Sequence, residues 1–279
     1  AMGRRTFLWT PTMPNNTTGS MVELENLPAG FDQSGAFGIN LLGQVVGYVA
    51  SAAGRHASLW TPSVPNGISG SWVDLGDLPD GLGQSQATGI NSHGQVVGVG
   101  DAATGERAFL WTPTAPNGAT GSMVDLGDLP GGSDSSIGRS INGQGQAVGW
   151  SSATTGDRAF LWTPAVPNGT SGSMVDLEDL PGGSDFSQAV DINSQGHVVG
   201  RSSVATGDHA FLWTPSAPNG AIGSMVDLNS LVEPSSGAGW TLETAQSIND
   251  LGQIAGYGMF DPDGPGDAEA VERGFLLTP

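Results

Sequence analysis

The chain has 279 residues, with 27 acidic residues against eight basic ones, all arginine, and a formal net charge of −19. A field of this sign repels nucleic acid and anionic membrane surfaces, so the charge argues against a nucleic-acid partner. Cysteine is absent, which excludes disulfide bonds and thiolate metal sites. No stretch approaches the ~20 apolar residues that span a bilayer, so no membrane span is expected.

One motif, Leu-Trp-Thr-Pro, returns every 51 residues along the chain. Its five copies begin at Leu8, Leu59, Leu110, Leu161 and Leu212. A degenerate sixth copy, Leu276–Pro279, closes the chain. A fixed period of this size indicates stacked or radial units, none of which buries its apolar face alone.

Each repeat predicts four short strands. In the repeat that begins near Ser85 these are Ser85–Asn91, Gln95–Val99, Ala108–Thr112 and Met123–Leu126. Each run is bounded by Gly, Pro, Asn or Asp, as strands between turns are. The 45 glycines and 18 prolines disfavour helices. Four strands in about 50 residues are typical of a propeller blade.

We therefore predict an all-β, five-bladed β-propeller of four-stranded antiparallel blades, a single domain over residues 1–279 and a monomer. A parallel β-helix is the alternative architecture.

Ring closure by strands from both termini would remove free sheet edges. Residues 21–24 are expected to complete the last blade beside residues 275–277. Residues 7–10 are then surplus, either an extra outer strand or the cut end of a longer array. Residues 1–4 are interpreted as a flexible cloning remnant and residues 258–272 as a long acidic insertion loop.

The order of motifs resembles the HAF-type extracellular repeat of bacterial secreted proteins. The motifs that carry this resemblance are Gly89–Asn91, Gly94–Gly98, Ala108–Trp111 and Asp125–Gly132. The resemblance covers essentially the whole chain. It implies an extracellular, exported or surface-attached protein with a propeller-like repeat fold, and it implies no catalytic activity.

The repeated tryptophans are interpreted as core residues. They stand at positions 9, 60, 111, 162 and 213, in one register with the residue two positions before each. Alternation puts both residues on one face of the strand, which would pack against the neighbouring blade. A ring of sugar-stacking platforms is the functional alternative.

Two positions differ between otherwise similar copies, and these are the candidate ligand-binding positions. One follows the second strand's Val-Gly and holds Tyr48, Val99, Trp150, Arg201 and Tyr257. The other lies two residues before each repeated isoleucine and holds Phe37, Thr88, Arg139, Val190 and Gln246. Tyr, Trp and Arg carry much of the binding energy at interfaces. We predict an exposed ligand-binding rim that comprises Tyr48, Trp150, Arg201, Tyr257, Phe37 and Arg139. Neutral drift at exposed positions is the alternative.

Acidic loops are the candidate metal sites. Asp261, Asp263 and Asp267 lie within seven residues, and hard cations such as calcium bind several converging oxygens. The repeated Asp-Leu-Pro-Gly-Gly-Ser-Asp turn offers Asp128 with Asp134 and Asp179 with Asp185. A solvated acidic loop is the alternative in both cases. The cation before each third strand is expected to form a local surface ion pair with the adjacent acid, as in Asp157-Arg158 and Asp208-His209.

These features favour a non-catalytic extracellular binding or adhesion module that recognises glycans or cell-surface partners. A purely structural repeat module is the second hypothesis. The third is a polysaccharide hydrolase or lyase that acts in the central channel, for which Asp191 and Glu243 are the nearest carboxylates. The sequence carries none of the metalloprotease, serine-hydrolase or phosphate-binding motifs. Calcium is the one candidate cofactor.

Overall fold

A computed structural model describes residues 4–13, 16–24, 32–52, 54–79, 81–262 and 270–279. Its strands form six antiparallel sheets of two to four strands, which confirms the all-β class. The described helical residues are a 3₁₀ turn at Leu228–Ser230 and one α-helical turn, α1, at Pro234–Gly237. The chain divides into two compact units, residues 1–125 and 126–279.

Unit 1 contains three sheets. The first has two strands, β1 (Phe7–Pro11) and β2 (Gly19–Glu23). The second comprises β3 (Gln33–Ile39), β4 (Val45–Ser51), β5 (Gly54–Pro62) and β6 (Gly70–Asp74). The third comprises β7 (Ser85–Ile90), β8 (Val96–Ala102), β9 (Gly105–Pro113) and β10 (Gly121–Asp125).

Unit 2 also contains three sheets. The first comprises β11 (Gly131–Ile141), β12 (Ala147–Ala153), β13 (Asp157–Pro164) and β14 (Gly172–Asp176). The second comprises β15 (Ser187–Ile192), β16 (Val198–Val204), β17 (Gly207–Pro215) and β18 (Gly223–Asp227). The third has three strands, β19 (Trp240–Ile248), β20 (Ile254–Phe260) and β21 (Val271–Leu277).

Each four-stranded sheet is a meander in which every strand pairs with the next one along the chain. The register repeats as well, since the third-strand tryptophan always faces the same position of the fourth strand. These pairs are Trp60–Trp72, Trp111–Met123, Trp162–Met174 and Trp213–Met225. The four apolar runs predicted for each repeat are therefore the four strands of one sheet.

The first strand of every repeat carries a β-bulge at the same place. The pairing with the second strand skips one residue at 37, 88, 139, 190 and 246. A glycine of the second strand lies beside each bulge: Gly47, Gly98, Gly149, Gly200 and Gly256. A Cβ at any of these glycines would collide with a carbonyl oxygen of the first strand. The glycine of each Val-Val-Gly-type run therefore makes room for the bulge.

Within each unit, a sheet packs against the next one mainly through the next sheet's first strand. Strand β7 contacts β3, β4 and β5, and β15 contacts β11, β12 and β13. A buried serine hydrogen-bonds across each of these contacts. Ser85 Oγ accepts from the Ala57 N–H at 2.9 Å, and Ser187 Oγ accepts from the Ala159 N–H at 3.0 Å. These hydrogen bonds fix the position of each first strand relative to the third strand of the preceding sheet.

The core lies between successive sheets. Trp60, Trp111, Trp162 and Trp213 are buried, with Phe109, Phe160 and Phe211 two residues before the last three. Their predicted core role is confirmed in these four copies. Trp9 is 46% exposed and Phe7 is 62% exposed, in a sheet that has two strands among the described residues.

The chain ends depart from expectation. Residues 21–24 were expected beside residues 275–277, but Met21 lies opposite Trp9 in the β1–β2 sheet, and the last sheet has three strands. Residues 7–10 are thus not surplus, since β1 provides the partner of β2. The expected 258–272 loop is shorter at both ends, because β20 runs to Phe260 and β21 begins at Val271. Most of the expected remnant, residues 1–3, lies outside the described residues.

Because the bulge crowds one side of β8, we expect Gly98 and Gly100 of that strand to tolerate substitution differently. A Cβ at Gly98 would collide with the Gln86 carbonyl oxygen and lie 2.7 Å from the Phe109 ring, whereas one at Gly100 would make ordinary 3.6 Å contacts. We expect Gly98→Ala to lower the free energy of unfolding by about 3 kcal/mol, and Gly100→Ala by less than about 1 kcal/mol. Urea denaturation measures both variants. Equal effects would show that the bulge does not require the glycine.

Candidate functional site

The two variable positions of the repeat lie next to each other, around the bulge. The bulge residue is exposed or half-buried in every repeat, and it is never part of the core. Its companion on the second strand lies across from the residue two positions before the bulge, as in Gly35–Tyr48 and Ile137–Trp150. A bulge re-aims its side chain without changing the rest of the ladder. The backbone of the repeat is thus constant, while the residue type at these two positions varies from repeat to repeat.

In the second sheet of unit 1, Phe37 and Tyr48 form an aromatic pair with ring centroids 6.0 Å apart. The Arg55 guanidinium lies 4.3 Å from the Tyr48 ring centroid and donates to Gln86 Oε1 at 2.6 Å. Phe37 is 55% exposed, but Tyr48 is only 6% exposed. The predicted exposure is therefore wrong for Tyr48, because its ring lies over Gly35 and Arg55 covers it.

In unit 2, Arg201 is held by several contacts. Its guanidinium donates to Gln188 Oε1 at 2.9 Å and to Asp208 Oδ2 at 3.3 Å, and it lies 5.2 Å from the Phe186 ring centroid. Arg139 is exposed at its bulge. Crowding of its guanidinium by protein atoms, and then the positive charge of Arg201, lower the pKa of Arg139.

The other predicted ligand residues are half-buried. Trp150 lies on β12 and Tyr257 on β20, where it pairs across from Thr244. Phe37 and Tyr48 belong to unit 1, and Trp150, Arg201, Tyr257 and Arg139 belong to unit 2. The structure thus brings one pair of the predicted residues into contact, Phe37 and Tyr48 in unit 1.

A polar groove of about 370 Å³ adjoins one variable position of unit 1. Its lining includes Arg55, Gln86, Val99, Asp101 and Glu106. Gln86 and Val99 face each other in the β7–β8 ladder, so the groove opens beside the bulge of that sheet. Charged and amide groups on its walls suit a polar ligand.

The expected calcium sites divide into two cases. Asp261 is described, whereas Asp263 and Asp267 lie outside the described residues. In the repeated turn, Asp179 and Asp185 both form ion pairs with Arg158, the second at 3.3 Å. An arginine therefore supplies the positive charge there. The described part of the chain has no group of three or more metal-ligating His, Asp or Glu side chains.

Three of the six cations before the third strands, Arg5, His56 and His209, pair across the sheet and not with an adjacent acid as expected. His56 Nδ1 lies 2.9 Å from Asp74 Oδ2, and His209 Nδ1 lies 2.7 Å from Asp227 Oδ2. Arg5 and Glu23 make the same pair in the first sheet. Recurrence at one position indicates a structural pair between the third and fourth strands, even though His209 Nε2 also faces Thr206 Oγ1 at 3.3 Å.

Asp191 serves as a structural clamp between three sheets. Its Oδ1 accepts from Ser140 Oγ at 2.7 Å and from the Ile192 N–H at 2.9 Å. Its Oδ2 accepts from Ser247 Oγ and from the Ile248 N–H, both at 2.9 Å. The carboxylate thus joins the first strands β11, β15 and β19. Sequence reasoning selected Asp191 as a candidate catalytic group and missed this role, although Ser140, Asp191 and Ser247 occupy equivalent repeat positions.

An apolar cavity of about 610 Å³ lies beside the last sheet and was not foreseen. Its lining includes Leu228, Trp240, Phe275, Leu277 and Pro279. The signal was present, because Leu277 replaces the tryptophan of the other Leu-Trp-Thr-Pro copies. Leu277 has a smaller side chain than tryptophan, and no fourth strand pairs with β21 among the described residues. Both features leave the cavity open beside the last sheet.

No family model, no curated protein and no solved structure matches this chain. The resemblance to HAF-type repeats therefore stays a prediction. None of the described helices is long and apolar enough to cross a membrane.

The environment of Glu243 leads us to expect that the free energy of unfolding depends on pH. Burial, then the Glu272 and Asp208 carboxylates, raise the pKa of Glu243 against the opposing charge of His209. The folded state then binds more protons than the unfolded state, so this contribution is present below the ordinary glutamate pKa and is lost as pH rises through the folded pKa. We expect Glu243→Gln to raise the melting temperature at pH 7 and to leave it unchanged at pH 3.5.

Differential scanning calorimetry at both pH values measures this effect, with Glu233→Gln as an exposed control. A Glu243→Gln variant that is less stable than the parent at pH 7 would contradict the predicted sign.

Proposed function

We propose that this protein is a non-catalytic binding module that displays the variable side chains of its β-bulges to a glycan or cell-surface ligand. One observation carries the proposal: five bulges occupy the same place in five repeats, each beside an obligatory glycine, and each presents a different side chain. A module with a constant frame and changing display positions suits recognition.

The chemistry at these positions supports binding. Phe37 provides an exposed aromatic face, and Arg139 provides an exposed guanidinium. Aromatic rings and arginines are the groups that most often dominate interfaces. Several modest sites on one body would add up through avidity when the ligand is a repeating polymer. An extracellular polysaccharide has that form.

A catalytic role in a central channel is the less favoured alternative. Asp191, one of its two candidate carboxylates, already accepts four hydrogen bonds, two on each oxygen. With four donors from three neighbouring strands on its two oxygens, this carboxylate joins those strands. The motif resemblance supports an extracellular or cell-surface location, and the net charge of −19 suits a well-solvated surface.

The five-bladed propeller is our proposed arrangement of the five repeats. In support, each four-stranded sheet is a meander, and the first strand of the next sheet packs across three of its strands within a unit. A single compact body of 279 residues is expected to have a radius of gyration of about 19 Å. Small-angle X-ray scattering measures this value. A markedly larger radius with a rod-like profile would favour an open array and contradict the propeller.

Binding is tested first on a glycan array, with calcium and with chelator, and then by titration calorimetry with the bound glycan. We expect the double variant Phe37→Ala and Trp150→Ala to weaken binding by about tenfold or more, since it removes one aromatic display residue from each unit. The control is Val64→Ala with Val166→Ala, which removes two exposed apolar side chains, one in each unit, from the loops after the third strands.

An unchanged affinity in the display double variant would show that the bulge positions are not the site. Absence of any glycan binding would favour the structural-module alternative. Binding that is lost with chelator would show that calcium takes part in recognition.

A further inference from the structure

The last sheet lacks the fourth strand that the other sheets have. Among the described residues, β21 pairs with β20 alone, whereas a fourth strand pairs with the third strand in each of the other five sheets. Phe275 of β21 is only half-buried, although its counterpart Phe211 is completely buried. The side of β21 that faces away from β20, here called the free edge, thus offers backbone N–H and C=O groups to a further strand.

Strand β21 keeps the register of a third strand. Phe275 lies opposite Gly256 in the last sheet, as Phe211 lies opposite Gly200 in the sheet before it. Leu277 therefore takes the place of the third-strand tryptophan. A fourth strand that arrived at the free edge would meet the same backbone positions as in the other sheets.

The five fourth strands of this chain define the sequence that fits such an edge. Each reads Gly, Ser, Met or Trp, Val, and then Asp or Glu. In every sheet the methionine or tryptophan lies opposite the third-strand tryptophan, and the acid lies opposite the residue two positions before that tryptophan. The same register on β21 would place the large apolar residue opposite Leu277 and the acid opposite Phe275.

The apolar cavity of about 610 Å³ lies where the large apolar residue of a fourth strand would pack. Trp240, Phe275 and Leu277 are among its lining residues. Directly opposite residues of an antiparallel pair share one face of the sheet, so a residue opposite Leu277 would project toward this lining. In complete sheets, Met123 and Met225 pack against the core cluster that holds the tryptophan of their own sheet.

Arg273 matches the acid of a fourth strand by charge. In three sheets the cation before the third strand pairs with the acid that ends the fourth strand: Arg5 with Glu23, His56 with Asp74 and His209 with Asp227. Arg273 takes the equivalent position in β21 and is exposed, with its guanidinium 4.9 Å from the Phe260 ring centroid. An acid opposite Phe275 would therefore lie beside a positive charge.

We propose that the free edge of β21 binds an extended segment of a partner protein, with a methionine or tryptophan opposite Leu277 and an acid beside Arg273. Main-chain hydrogen bonds supply affinity in this mode of binding, and alternate side chains supply specificity. A second copy of this chain fits less well, because each of its five fourth strands already pairs with its own third strand. The inference does not depend on glycan binding, since the bulges lie on the first strands.

The probe is a synthetic peptide with the sequence of residues 119–127, which contains the fourth strand Gly121–Asp125. We expect it to bind the full chain in titration calorimetry and to slow hydrogen exchange of the β21 amides, because pairing protects them. A scrambled peptide of the same composition is the control and should do neither. Tryptophan in place of Met123 in the peptide should tighten binding about fivefold, since Leu277 leaves space for a larger side chain.

A charge exchange tests the role of Arg273. Arg273→Glu should weaken binding of the peptide about fivefold and leave the melting temperature unchanged, because the side chain is exposed. A peptide with arginine in place of Asp125 should bind the wild type weakly and regain affinity for Arg273→Glu. The matched control is Arg4→Glu, which makes the same charge change at an exposed residue of unit 1 and should bind both peptides as the wild type does.

Three results would overturn the inference. The first is absence of peptide binding, and the second is binding that leaves hydrogen exchange of β21 unchanged. The third is a dimer in sedimentation equilibrium whose β21 amides are protected without peptide, which would make a second copy the occupant. Equal affinity of the two peptides for Arg273→Glu would show that the acid does not lie beside Arg273. Each of these results leaves the glycan proposal intact, because saturating peptide is expected to leave glycan affinity unchanged.

Discussion

Within each compact unit, a four-stranded sheet depends on the first strand of the sheet that follows it. Packed alone, a four-stranded meander would expose the apolar residues on both of its faces. Within each unit the next first strand lies across three strands of the sheet before it and covers residues such as Leu59 and Leu161. The buried serine and the side-chain amide of the repeated Asn set the distance across this contact. The sequence repeats every 51 residues because each unit of the repeat makes these same contacts.

The same first strand also carries the bulge. Its core residues and its exposed or half-buried bulge residue are therefore neighbours in sequence. Ala189 and Ile192 of β15 face the core, while Val190 between them is the bulge residue. The glycine on the second strand accepts the displaced backbone and therefore cannot vary. A substitution at the bulge changes the surface without changing the core. This separation explains how near-identical copies carry phenylalanine, arginine and glutamine at one position.

The strands could be predicted because their signals are local. Turn residues bound every run, and a tryptophan that recurs in one register marks packing, as Trp111 and Trp162 show. What escaped prediction depends on partners distant in sequence. The His209–Asp227 pair spans two strands, and the Asp191 clamp spans three sheets. The burial of Tyr48 depends on Gly35 and Arg55, whose positions only the ladder defines. The pairing of β2 with β1 was missed because two third strands, β1 and β21, were equally plausible partners.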